Sequence, residues 1–139
     1  MEVRVYRSSD EPAVIALWSS VLPSSAPHND PATAIRNKRR VDPELFFVAE
    51  VDGVVVGTVM GGYDGHRGWI YSLAVRVDHQ RRGIGAELVR RVERKLSDRG
   101  CLKINLQVMS SNAGVVAFYE KLGYAVEERI SMGKRLDLE

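Results

Sequence analysis

Residues 69–96 read WIYSLAVRVDHQRRGIGAELVRRVERKL and contain the corner on which the fold depends. The segment WIYSLAV (69–75) is rich in β-branched and aromatic residues, which predicts a strand. Apolar residues then recur every four positions between Gly83 and Arg99, and this spacing predicts an amphipathic helix. The recurring residues are Ile84, Leu88, Val92 and Leu96. The stretch QRRGIG (80–85) therefore lies where a strand leads into a helix.

This corner has the features of an anion-binding site. The start of a helix exposes unpaired N–H groups and the positive end of the helix dipole. Gly83 and Gly85 carry no Cβ, so the backbone there can approach an anion closely, and two neighbouring arginines add positive charge. A tight turn beside solvated arginines is the alternative, because a glycine pair alone is weak evidence. A dinucleotide fingerprint is excluded by Leu88 at its third glycine position, and the chain has no Gly-Lys-Ser/Thr of a Walker loop.

The N-terminal part predicts one strand and two helices. EVRVY (2–6) alternates as a strand does. Ser8 and Glu11 have the spacing of a capping box, so we expect a helix over 9–22. A short second helix, about 31–41, is basic, and its charged side chains are expected on a solvated face. These side chains belong to Arg36, Lys38, Arg39 and Arg40.

The central part predicts a hairpin. Asp52 and Gly53 form a strong two-residue turn signal between strands 45–51 and 54–63. The remaining predicted elements are a strand at 102–108, a helix at 112–122 and one or two strands within 124–137. We therefore expect an α/β (α+β) fold in a single domain, residues 1–139. Its mixed, mostly antiparallel central sheet would have six or seven strands flanked by about four helices.

Composition excludes several classes of protein. The net charge is only +2, and acids alternate with the basic residues, which argues against a nucleic-acid partner. No apolar run approaches the roughly 18 residues of a membrane helix, and the N-terminus has no signal core. Cys101 is the single cysteine, so an internal disulfide or a cysteine zinc site is excluded, and we expect no metal. These features favour a cytoplasmic enzyme.

Two segments resemble a known family. Leu73-Ala74-Val75 leading into Gln80-Arg81-Arg82-Gly83-Ile84-Gly85 resembles the acetyl-CoA motif of the GNAT superfamily of N-acetyltransferases. NAGVVAFYEKLGY (112–124) is similar to the second cofactor segment of that superfamily. MGGYDGHRG and SMGKRL are also similar to its YpeA-type bacterial branch. The family often has proline where Val77 stands and glycine where Arg81 stands, but neither position belongs to the minimal pattern.

The resemblance implies acetyl-CoA as cosubstrate and assigns roles to individual residues. Backbone N–H groups from Arg81 to Ala86 would hold the pyrophosphate, and the backbone of 73–75 would pair with the pantetheine arm. The N–H of Val75 would polarise the thioester carbonyl, and Tyr119 would protonate the leaving thiolate. The implied cofactor-binding residues are Leu73, Ala74, Val75, Gln80, Arg81, Arg82, Gly83, Ile84, Gly85, Ala86 and Asn112.

Spacing alone gives the two residues of the second segment simpler roles. Tyr119 lies on the apolar stripe of its helix, as a core tyrosine does, and the resemblance is what favours catalysis. Asn112 lies where the helix begins, and asparagine is a preferred N-cap, so it can cap and also contact the cofactor.

The general base stays open. The candidates are Glu50, Asp64 and His66, or a water that one of them holds. Asp64 precedes a glycine and is favoured as a turn residue. Tyr71, on the strand that leads to the motif, is a candidate for lining the acceptor site. In this family, the region of His28-Asn29-Asp30 often borders that site.

The acceptor is not readable from these residues. A protein N-terminal amine and a small-molecule amine are both open, and the resemblance makes a homodimer a reasonable expectation. Two other functions compete with catalysis. One is a catalytically silent CoA-binding regulatory module, and the other is a nucleic-acid binder that uses the arginines of 76–99. The presence of Tyr119 argues against a silent module. Acidic residues interspersed among the arginines argue against a nucleic-acid binder.

Overall fold

The computed structural model describes residues 1–22 and 30–137, which form two compact units, 1–107 and 108–139, by their contacts. His28 and Asn29 lie outside the described residues. The first unit contains β1 (Glu2–Val5), α1 (Glu11–Val21), α2 (Pro31–Lys38), β2 (Phe46–Val51), β3 (Val54–Tyr63), β4 (Gly68–Val75), α3 (Ile84–Asp98) and β5 (Ile104–Leu106). The second unit contains α4 (Ala113–Lys121). No described helix combines the length and apolar character that a bilayer-spanning helix needs.

The sheet of the first unit runs in the order β1-β2-β3-β4-β5. The first four strands are antiparallel, and β5 returns parallel to β4. A parallel pair needs a crossover, which α3 provides. The predicted hairpin between β2 and β3 is confirmed: Asp52 and Gly53 both have positive φ, at 51° and 77°, as a type I′ hairpin turn requires.

Helices cover both faces of this sheet. On one face, the buried residues Val14, Trp18 and Ile35 of α1 and α2 pack with Phe46 and Met60 of the sheet. On the other face, α3 lies close to β3. A Cβ on Gly61 of β3 would be only 2.7 Å from a methyl of Val92 of α3. Adjacent residues of a strand point to opposite faces of the sheet. Met60 therefore faces α1 and α2, and its neighbour Gly61 faces α3.

The strand count differs from the expectation. The sheet has five strands rather than six or seven, and the described residues 124–137 form no strand. Their apolar side chains are exposed, as at Val126, Ile130 and Met132. An alternating apolar pattern becomes a strand only when a neighbouring strand pairs with its backbone, and the second unit supplies none among its described residues.

The predicted capping box at Ser8 and Glu11 is wrong. A 3-10 turn, Ser8–Asp10, precedes α1, and the carboxylate of Asp10 accepts the backbone N–H of Arg7 at 2.9 Å. The same carboxylate binds both guanidinium N–H groups of Arg4, at 2.8 and 2.9 Å. Asp10 therefore ties β1 to the start of α1, through an ion pair between side chains six residues apart that the capping-box pattern does not include.

Candidate active site

Strand β5, at the edge of the sheet, pairs with only the first part of β4. Their ladder covers three pairs, from Gly68 with Ile104 to Ile70 with Leu106, and ends there. Strand β4 continues to Val75 and keeps its pairing with β3 on the other side. Among the described residues, no strand pairs with the edge of β4 from Tyr71 to Val75 on the β5 side, and we call this the open edge. An extended ligand that adds to a sheet needs such an unpaired strand edge.

The backbone of Val75 faces this open edge. The N–H of Arg76 donates to Val56 O at 2.7 Å, so Val75 and Gly57 form a non-hydrogen-bonded pair, and the polar groups of Val75 point away from β3. The side-chain amide of Gln80 donates to Val75 O at 2.9 Å. Gln80 therefore connects the strand end to the corner, and the N–H of Val75 is directed to the open side.

A β-bulge interrupts β4 beside the open edge. The register between β3 and β4 shifts between Thr58 and Met60, and Ser72 has a φ of 53°, a strained value for a residue with a side chain. A buried chain of hydrogen bonds supports the bulge. Trp18 Nε1 donates to Thr58 Oγ1 at 2.7 Å, and Thr58 Oγ1 donates to Ser72 O at 3.0 Å. Sequence patterns gave no sign of this chain, because its members are far apart in the sequence.

The corner itself has the geometry of an anion-binding helix start. Gly83 is the N-cap of α3 with a φ of 82°, and a Cβ there would point into open space. The first hydrogen bond of the helix runs from Glu87 N to Gly83 O at 3.1 Å. The amides of Ile84, Gly85 and Ala86 come before it, so no carbonyl of a preceding helical turn accepts their N–H groups. Arg81 and Arg82 are exposed beside these amides.

The second unit carries the other two expected residues. Asn112 caps α4, and its side-chain oxygen accepts the N–H of Val115 at 3.3 Å. Tyr119 is buried, and its ring makes edge contacts with Phe118 and Tyr124 at centroid distances of 5.1 and 5.5 Å. Burial raises the pKa of Tyr119 to about 12, so its hydroxyl keeps its proton at neutral pH. It is therefore able to act as a proton donor.

Two of the three sequence-derived candidates for the base, Glu50 and Asp64, bind other groups of the chain. Glu50 Oε1 accepts from Arg4 at 2.8 Å and forms a half-buried ion pair on β2. Asp64 accepts the backbone N–H groups of His66 and Arg67 at 2.8 and 2.7 Å, and these bonds lower its pKa. Asp64 is therefore a turn residue, and His66 lies exposed in the same turn.

One lysine that the sequence pattern places on a solvated face is buried in the structure. Arg36, Arg39 and Arg40 of the basic segment are exposed as expected, but Lys38 is only 4% exposed. Its ammonium contacts Gly61 O and lies 3.0 Å from the hydroxyl of Tyr71. A cluster of three His, Cys, Asp or Glu side chains that could hold a metal is not found among residues 1–22 and 30–137.

Comparisons with known proteins agree with this geometry. The model of the acetyltransferase (GNAT) family matches residues 12–124. An acetyltransferase of Yersinia enterocolitica is 49% identical over 98% of this chain and 96% of its own length. Another acetyltransferase, from Pectobacterium atrosepticum, is 50% identical over the same shares.

Solved structures share the fold. Ard1 from Thermoplasma volcanium has a TM-score of 0.80 at 26% identity, covering 91% of this chain and 83% of that one. The PaiA N-acetyltransferase from Thermoplasma acidophilum, solved in complex with coenzyme A, has a TM-score of 0.80 at 18% identity, covering 93% and 92%. Together with the family match over most of its length, these likenesses show that the chain belongs to the GNAT family of acetyltransferases.

Proposed function

We propose that the protein transfers the acetyl group of acetyl-CoA to an amine. The observation that carries this proposal is the joined pair of features at the corner, an open strand edge that leads directly into a glycine-capped helix start. The open strand edge fits the extended, amide-containing pantetheine arm of CoA. The glycine-capped helix start fits the diphosphate of CoA. The structure of a related fold with coenzyme A supports the same ligand.

The pyrophosphate would lie on the amides of Ile84 to Ala86, with Arg81 and Arg82 at its rim. The pantetheine amides would pair with the edge of β4 between Leu73 and Val75, as an added strand does. Ala74 points its side chain into the buried layer, so it contributes backbone only. Asn112 would hydrogen-bond the arm through its side-chain amide N–H groups, which do not take part in capping the helix.

The acceptor amine would attack the thioester carbonyl carbon directly, without a covalent enzyme intermediate. The N–H of Val75 would stabilise the developing oxyanion. As the C–S bond breaks, the thiolate would take the proton of Tyr119, and the tyrosinate would regain one from solvent. The new amide nitrogen would lose its extra proton to solvent, which offsets the proton that Tyr119 regains, so a neutral amine gives an N-acetyl amine and CoA with no net release of protons.

Both compact units would belong to one acyltransferase domain, residues 1–139. The family match supports this proposal, because it runs from 12 to 124 and so includes residues of both units. A homodimer and an amine as the acceptor are further proposals that rest on the family resemblance. Sedimentation equilibrium tests the first of these.

An acceptor screen tests the proposed function. Purified protein and acetyl-CoA would be incubated with short N-terminal peptides, lysine, polyamines and other small amines, and CoA thiol and acetylated product would both be measured. We expect stoichiometric thiol and N-acetyl product with at least one amine. Tight CoA binding without thiol release from any acceptor would instead identify a silent CoA-binding module.

A further inference from the structure

Lys38 is held in an unusual position for a lysine. The residue is 4% exposed at the end of α2, and its Nζ donates to the carbonyl of Gly61 on β3 and lies 3.0 Å from Tyr71 Oη on β4. Lysine is almost never fully buried unless it is paired with an acid. This lysine is buried against a neutral carbonyl and a hydroxyl, so its burial has a cost that a purely structural side chain would avoid.

The charges around Lys38 offset that cost only in part. The carboxylate that acts on it belongs to Asp42, and this carboxylate pairs with Arg99 at 3.0 Å. Arg99 also contacts Glu44, and its own positive charge opposes that of the lysine. Burial is the largest cause, and it lowers the pKa of Lys38 to about 8. The neutral amine therefore becomes accessible closer to neutral pH than in an ordinary lysine.

Tyr71 links this buried amine to the open edge. It is the first residue of β4 beyond the last pair with β5, where the strands separate. It is 42% exposed, while its hydroxyl reaches the buried Nζ. Burial raises the pKa of the Tyr71 phenol, so the phenol alone would be a poor base. A hydroxyl that contacts both a neutral amine and an incoming ligand can pass a proton between them.

We propose that Tyr71 and Lys38 form the proton relay that deprotonates the acceptor amine. This inference rests on the proposed acetyl transfer and supplies its missing base. Tyr71 touches the acceptor and is a catalytic residue, whereas Lys38 acts through Tyr71. The relay suits alkylammonium acceptors, which have a pKa near ~10.4 and cannot attack until they lose a proton.

The relay step balances in protons. The acceptor ammonium gives one proton to Tyr71 Oη as Tyr71 gives its own proton to the neutral Nζ of Lys38. The amine lone pair then forms the N–C bond to the thioester carbon, and the C–S bond breaks. Lys38 afterwards loses the acquired proton to solvent through Tyr71, which restores the neutral amine for the next cycle.

The test compares two acceptors in two variants. Tyr71→Phe keeps the ring and removes the hydroxyl, and Lys38→Met keeps the length of the buried chain and removes the amine. Each is assayed with an alkyl amine and with an aromatic amine, which is already neutral at pH 7. Tyr63→Phe makes the same chemical change at the end of β3 and is the matched control.

We expect Tyr71→Phe to lower kcat/KM for the alkyl amine about 100-fold at neutral pH, and to lower that for the aromatic amine far less. The wild-type kcat/KM for the alkyl amine should rise through pH ~8, and in both variants this rise should move toward the pKa of the free amine, about 10. Tyr63→Phe should retain the wild-type profile.

Equal losses with both acceptors, or an unchanged pH profile in Tyr71→Phe, would overturn the relay. Tyr71→Phe preserves the buried lysine and carries the test by itself if Lys38→Met does not fold. Wild-type turnover of the aromatic amine is independent of the relay. A failed relay therefore leaves acetyl transfer itself demonstrated, and the two failures are distinguishable.

Discussion

At the scale of single residues, Gly83 combines two physical requirements. Its φ of 82° lies in the left-handed region, and the space where a side chain would stand is open. The first requirement is met by any glycine turn, such as Gly53 with a φ of 77° and equally open surroundings. Only Gly83 is also the N-cap of a 15-residue helix, where open space in front of unpaired amides can be filled by an anion.

Gly83→Glu should therefore remove CoA binding, because it places bulk and negative charge on the proposed phosphate site. We expect a loss of at least about 100-fold in CoA affinity by calorimetric titration. Gly53→Glu imposes a similar backbone strain on the hairpin and is the control that should keep near wild-type affinity. Wild-type affinity in Gly83→Glu would refute the assignment of the corner.

Tyr119→Phe tests the proposed proton donor. The substitution removes one hydroxyl from a buried ring and retains its edge contacts with Phe118 and Tyr124. We expect kcat to fall about 100-fold or more, while CoA affinity and the unfolding midpoint change little. An unchanged kcat would mean that water protonates the thiolate. Steady-state kinetics together with thermal unfolding separate these results.

At the scale of elements, the β4 bulge depends on a side chain from another strand. Ser72 keeps a strained φ of 53° while its carbonyl accepts from buried Thr58, which in turn accepts from Trp18 of α1. One hydroxyl thus connects a helix, β3 and β4. Strain of this kind persists only where the surroundings over-determine it.

Thr58→Val should show this dependence. It retains the β-branched shape and leaves the buried indole N–H of Trp18 without its acceptor, which costs about 1–3 kcal/mol of unfolding free energy. The KM for acetyl-CoA should also rise, because the bulge that sets the open edge loses its support. The control is Thr33→Val, whose hydroxyl contacts exposed Asp30. Chemical denaturation and kinetics measure the two effects, and equal stability of both variants would contradict this role for Thr58.

At the scale of the whole molecule, Lys38 makes stability depend on pH. Its pKa is about 8 in the folded protein and about 10.4 in an unfolded chain. Between these values the unfolded chain binds more protons, so the unfolding free energy should rise with pH through this window. Below about pH 8 both states are protonated, and the full cost of burying the charge is present.

Lys38→Met should abolish that rise. Urea denaturation at several pH values between about 7 and 10 would give the difference between wild type and variant, which isolates Lys38 from every other titrating group. A difference that does not change with pH in this window would show that Lys38 has an ordinary pKa. That result would also remove the physical basis of the relay.

Local features of the sequence determined the strand-to-helix corner and the β2–β3 hairpin. Each depends on neighbouring residues, through a positive φ, a missing Cβ or the apolar spacing of one helix. The motif also pointed to Val75 and Gln80, which lie five residues apart and contact each other directly. Such predictions succeed because interactions between neighbouring residues restrict the backbone to a few conformations.

Only the tertiary structure decided the burial of Lys38, the support of Ser72 by Thr58 and the point where β4 and β5 part. Lys38 reads as one of several basic residues on a surface helix, and contact with Gly61 and Tyr71 is what buries it. The predicted strands of 124–137 also failed for this reason, since a strand needs a partner backbone. The sequence thus determined the corner at which we propose that the cosubstrate binds, whereas the proposed base arose from packing between elements far apart in the chain.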